Sequence, residues 1–196
     1  MKKHATVFSL LAACAALLAA AGGPASAQTA QPEEPDTLIL SDSLNYDDSA
    51  KVSTFTGNVI MTRGAMTLHS DKLVVREDAQ GFQYGTATVG GNKLVHVRQE
   101  DPERFEVIEA KGRRGEYNGK DETIEMIGQA TVTRFICGKP FDTISGARVI
   151  YKQKSDTYEA YGGKESAAAG GRVRSVAQPR AKIDAAIEQC RKASSR

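Results

Sequence analysis

Tryptophan is absent, aromatic residues make up 6% of the chain, and only three cysteines and three histidines occur in 196 residues. Any core must therefore be built of aliphatic side chains, methionine and a few Phe and Tyr. No stretch reaches the roughly 20 apolar residues of a comfortable membrane span. Reactive constellations are missing too. His69 and His96 sit in strand-like patterns without a His-x-x-x-His or Cys-x-x-Cys partner, so a metal site is not indicated. The run Gly85 to Lys93 superficially resembles a phosphate loop, but neither the lysine spacing nor a following helix fits, and it reads as a hairpin turn. No Gly-x-Ser-x-Gly nucleophile motif occurs. Acidic residues concentrate in turns, and no pair stands out for acid–base work on a glycan. These gaps argue against an enzyme and against a cofactor, and nothing points to nucleic acid.

What is present is alternation. In Val52–Val75, Phe55, Val59 and Met61 share one parity while Thr54, Thr56 and Asn58 take the other, as in a strand with two unlike faces. Arg63-Gly64 punctuates it, and Ala65 to Val75 returns with Met66 and Leu68 on one face and a switch to Leu73 and Val75. A repeat follows. Tyr46 precedes Gly57, Tyr117 precedes Gly128 and Tyr151 precedes Gly162, each by eleven positions, and Val75 with Gly85 is a looser copy. A polar turn lies between the anchors each time. Such repetition predicts stacked hairpins, none able to bury its apolar face alone.

The chain divides into four parts. Residues 1–27 read as a signal peptide, with Lys2-Lys3, an apolar run from Val7 to Ala21, and Ala25-Ser-Ala27 as the cleavage site. Leu11-Ala-Ala-Cys14 offers a lipoprotein box as the rival, but the apolar run continues past that cysteine. Residues 28–36 are a Pro- and Glu-containing linker. Residues 37–179 form the strand-rich domain, with Thr37–Tyr46 as first strand and Arg172–Gln178 as last, stopped by Pro179. Residues 180–196 are a basic tail. From 164 onward the chain holds eight Lys/Arg against three Asp/Glu, a net +5. Such a tail either meets an anionic partner or is a solvated, disordered end, and composition favours the second. Ala181 to Lys192 has helical composition, with Ile183 and Ile187 at i, i+4 spacing, but is short for an isolated helix. After cleavage Cys137 and Cys190 are an even pair in an oxidising compartment. A bridge would staple the tail to the body; equally, Cys137 fits a buried thiol beside Ile136.

Three segments carry a resemblance. Phe55-Thr-Gly-Asn-Val-Ile, Ser70-Asp-Lys-Leu-Val-Val75 and Gly171-Arg-Val-Arg-Ser-Val-Ala-Gln-Pro179 are similar, in the expected order, to the OstA-like family of lipopolysaccharide-transport proteins. The resemblance covers Thr37 to Pro179. It implies an all-β fold, a twisted antiparallel β-jellyroll of repeated hairpins open at both ends. It also implies a periplasmic protein that binds lipopolysaccharide, stacks head to tail with copies of itself, and bridges an inner-membrane anchored component and an outer-membrane translocon. The cysteines and the long basic tail depart from the family pattern.

Alternation supplies a candidate groove: Ile39, Leu44, Tyr46, Phe55, Val59, Met61, Met66, Leu68, Leu73 and Val75. Each methylene kept from water is favourable by about 0.8 kcal/mol, so an acyl chain of about a dozen gains on the order of 10 kcal/mol from shelter. Met61 and Met66 would adapt to varied chains. The same pattern equally describes an ordinary core with no ligand. A structural β-repeat adaptor of the envelope, binding only proteins through its strand edges, is the second function the sequence allows.

Overall fold

A computed structural model describes residues 35–194. The signal peptide, and the linker through Glu34, lie outside the described residues. The rest builds one antiparallel sheet from β1 (Thr37–Leu40), β2 (Ser43–Asp47), β3 (Val52–Arg63), β4 (Met66–Glu77), β5 (Gln83–Thr88), β6 (Val95–Asp101), β7 (Glu106–Gly112), β8 (Arg114–Asn118), β9 (Thr123–Ile136), β10 (Lys139–Lys152), β11 (Thr157–Tyr161) and β12 (Arg174–Val176). One helix, α1 (Arg180–Ser194), follows.

Four long strands make the architecture. β3, β4, β9 and β10 each take different partners along their two halves. One wing runs β2-β3-β4-β5-β8-β9-β10-β11. The other runs β1-β3-β4-β6-β7-β9-β10-β12. The wings share the long strands and enclose one core, the jellyroll-like all-β fold that the resemblance implies. Between the wings lies the core of Val59, Leu73, Ala87, Val95, Val97, Ala110, Met126, Ala130 and Val149, drawn from both.

The bend has a local cause. β3 slips register between Thr56 and Val59, where Gly57 and Asn58 both have left-handed backbones at φ 84° and 46°. β9 repeats the device at Gly128 and Gln129, φ 70° and 52°. A β-bulge of this kind kinks the strand and raises its twist. The repeat glycines Gly57 and Gly128 are thus corner residues. The leading residues of all four copies of the repeat, Tyr46, Val75, Tyr117 and Tyr151, fall in one cross-strand row, Tyr46–Ser53–Val75–Gly85–Tyr117–Ile124–Tyr151–Tyr158.

Three boundaries differ from the sequence reading. The first strand is two strands: the chain turns at Ser41-Asp42, where the Asp42 amide donates to the Gly57 carbonyl at 3.0 Å and Asn58 Nδ2 donates to Asp42 Oδ2 at 3.0 Å. The corner in this edge therefore copies the bulge in β3. The last strand shrinks to Arg174–Val176. The tail is not a disordered end. Residues 180–194 are helical, with Ile183 8% exposed and Cys190 joined by a disulfide to Cys137, Cα atoms 6.2 Å apart. Tertiary anchoring supplies what a short isolated helix lacks.

Candidate binding groove

Residues directly opposite in an antiparallel ladder share a face, so the inner surface can be read from the registers. In the first wing one inward row is Leu44–Phe55–Leu73–Ala87–Gly115–Met126–Val149–Ala160. In the second it is Ile39–Met61–Leu68–Val97–Ala110–Val132–Ile144–Ser175. Both rows are almost wholly apolar and cross every strand of their wing. The adjoining row Asn45–Thr54–Val74–Thr86–Glu116–Glu125–Ile150–Glu159 is mainly polar and faces out.

The ten residues proposed from alternation fall into two groups. Val59 and Leu73 are buried, and Ile39, Phe55, Met61, Met66, Leu68 and Val75 are partly buried against the same cluster. Leu44 and Tyr46 are 58% and 54% exposed. They continue the inward rows, but β2 is an edge strand with β3 on one side only, so no further strand covers them.

A cavity of about 680 Å³ runs between the wings in the C-terminal half, and none of those ten residues lines it. Its apolar walls are Val97, Ile108, Ala110, Ile124, Met126, Val132, Ile144 and Val149. The alternation of Ile124, Met126 and Val132 carries the same signal as Phe55, Val59 and Met61, and would have found this wall. In the N-terminal half Ile39, Phe55, Met61, Met66, Leu68 and Val75 are partly buried against the core cluster.

The cavity rim is polar. Arg134 Nε donates to Asp142 Oδ2 at 2.8 Å, and its Nη1 lies 3.7 Å from Glu106 Oε2. Arg104 Nη2 approaches the same Glu106 oxygen at 3.6 Å. At the far wall the rings of Tyr151 and Tyr158 stack at 4.7 Å, and Tyr151 Oη donates to Asp156 Oδ1 at 3.1 Å. Burial, with Tyr151 beside it, pushes the Tyr158 phenol up to about 12, so it stays a neutral hydroxyl. An apolar trough with a charged lip suits an amphiphile: chains inside, polar groups at the rim. His69 and His96, the other titratable pair noted in the sequence, stack across β4 and β6 with ring centroids 6.3 Å apart. They belong to the outward face. Among the described residues no group of three or more His, Cys, Asp or Glu is placed to hold a metal ion.

An open antiparallel roll with an apolar face running from edge to edge is a holder of elongated apolar ligands rather than a closed pocket. Residues 38–157 match the profile described as LptA/(LptD N-terminal domain) LPS transport protein, and the chain belongs to that family. It is 27% identical over 179 residues to the lipopolysaccharide export system protein LptA of Escherichia coli K12, covering 91% of this chain and 90% of that protein. To the export system protein LptH of Pseudomonas aeruginosa it is 25% identical over 177 residues, covering 90% and 93%. The crystal structure of LptH, described as the LptA-homologous periplasmic component of a lipopolysaccharide transport device, shares the fold. It superposes with a TM-score of 0.61 at 23% identity, covering 74% of this chain and 96% of that one.

Proposed function

We propose that this protein carries lipopolysaccharide through the periplasm, holding the acyl chains between its wings, as a bridge from an inner-membrane anchored component to an outer-membrane translocon. The observation that carries the reading is the pair of continuous inward rows, apolar from β2 to β11 and from β1 to β10, opening at both edges. The ligand contacts are Val97, Ile108, Ile124, Met126, Val132, Ile144 and Val149, with Phe55, Met61, Met66, Leu68 and their neighbours continuing the path toward β1. Val59 and Leu73, fully buried, hold the wings together beneath it.

The path extends through stacking. Among the described residues the exposed large apolar side chains other than Phe82 lie on or beside the edge strands: Leu38, Leu40, Leu44 and Tyr46 at one end, Tyr158, Tyr161 and Val173 at the other. Edge strands leave unpaired N–H and C=O groups. The first edge carries Asp36, Asp42, Asp47 and Asp48 with Lys51, and the second carries Arg172 and Arg174 at β12 with Asp156 and Glu159 at β11. Unlike ends, the first acidic and the β12 side of the second basic, favour a heterologous, head-to-tail contact, which continues into a filament where it does not close. Leu44 and Tyr46 then become groove residues, covered by the next copy. The chain reaches the periplasm on its leader, cleaved after Ala27.

Mass spectrometry of the protein isolated from its own envelope tests this reading. Lipopolysaccharide should co-purify, and the mature chain should begin at Gln28. Protein free of lipid, associated only with other proteins, would favour the adaptor role.

A further inference from the structure

Two buried apolar residues stand apart from the core between the wings: Ile136, fully buried, and Ile183, 8% exposed. Ile136 ends β9 on the inward parity of Val132 and Arg134, and lies opposite Glu106, itself opposite Asp101. Arg134, Glu106 and Asp101 all line the cavity. The end of a strand on this lip would ordinarily be open to solvent. Instead α1 packs on β9. Ile183, Ile187 and Cys190 fall at i, i+4, i+7, one face of a helix, and that face meets the body.

The helix is also fastened at both ends. At its start the Gln178 amide donates to Asp142 Oδ1 at 2.8 Å, on the same carboxylate that holds Arg134 over the cavity. The Pro179 carbonyl accepts the Lys182 amide at 2.9 Å. Near its finish Cys190 is bonded to Cys137 in the β9–β10 turn.

From this geometry we infer that α1 is a strap across the lip of the groove. It packs on the end of β9 that carries Ile136, narrows the side opening, and slows lateral entry and escape of the bound amphiphile, leaving the two open edges as the fast route. The disulfide keeps the strap in place. This inference rests on the groove reading above and adds to it a control on direction: along the stack rather than out to the side.

The test uses the mature chain, its Cys137→Ser/Cys190→Ser variant, and Ile183→Asp, which lifts the helix while leaving the disulfide intact. The probe is a fluorescent fatty acid of eleven or twelve carbons, and circular dichroism confirms folding. Both variants should release the probe about tenfold faster than wild type, since contact changes act mainly on dissociation. Amide hydrogen exchange of residues 103–110 and 130–137 should quicken in both. Unchanged release from a wild type that binds the probe, or unchanged exchange in these two segments, overturns the strap alone. A wild type that takes up no probe defeats the groove reading and the strap with it.

Discussion

Replacing Gly57 by alanine tests the corner on which the two-winged architecture depends. Gly57 has φ 84°, a region that costs an L-residue roughly 1–2 kcal/mol. A Cβ there would also run into the Asp42 carboxylate, displacing the group that accepts from Asn58 Nδ2. Losing that bond adds about 0.5–1 kcal/mol. The expected destabilisation is about 2–3 kcal/mol, a fall in Tm of roughly 5–10 °C for a domain of this size. Urea unfolding, with the slope checked for constancy, measures it. Gly85→Ala is the matched control: it occupies the equivalent repeat position, but lies mid-strand, and its Cβ would meet Tyr117 Cβ at 3.5 Å, an ordinary contact. It should be neutral or slightly stabilising. Equal effects at the two glycines would refute the corner argument.

Three further outcomes follow from the same geometry. Val132→Asp places a charge in the inward row and should weaken fatty-acid binding more than tenfold with the fold retained, while Ile150→Asp on the outward face should not; a folded Val132→Asp that binds like wild type removes this wall from the groove. Burial first, then the partly opposing fields of Glu109, Lys111 and His69, set His96 below the usual histidine value, so the unfolded chain binds a proton that the folded chain refuses. Stability should therefore rise with pH toward about 6.5 and fall as the pH drops through that window, with His96→Gln flattening the rise in the urea midpoint; an unaltered slope contradicts it. Leu44→Lys/Tyr46→Lys should leave the urea midpoint unchanged yet shift sedimentation toward monomer; Val173→Pro/Val176→Pro at the other edge should shift sedimentation the same way in a chain that circular dichroism shows folded, and a wild type that stays monomeric across the concentration series argues against stacking.

The sequence made the strands and the inward parity of β3 and β4 legible because alternation holds on either side of the bulge in β3 and of the parity switch in β4. The Tyr–Gly repeat was legible as a period but not as geometry. Its tyrosines mark one cross-strand row, while Gly57 and Gly128 mark bulges, and only the registers separate the two roles. Thr37–Tyr46 read as one strand because the corner at Ser41-Asp42 depends on a bulge in a different strand. The length of β10 is hidden in the sequence, since Pro140 and Gly146 break the pattern at two register shifts. The helix was undervalued because its stability comes from Ile183 meeting the body and from Cys190 meeting Cys137, neither a local property. The cavity between the wings was not legible for a similar reason: alternation says which way a side chain points, and only packing says whether the space it points into is filled.

Site-specific photo-crosslinking in the living envelope tests the central claim most directly. A photoreactive residue at Val132 or Ile144, inward and lining the cavity, should capture lipopolysaccharide, while one at Ile150, on the outward row of the same wing system, should not. Capture at all three positions alike, or at none, would contradict a groove that carries the lipid between the wings.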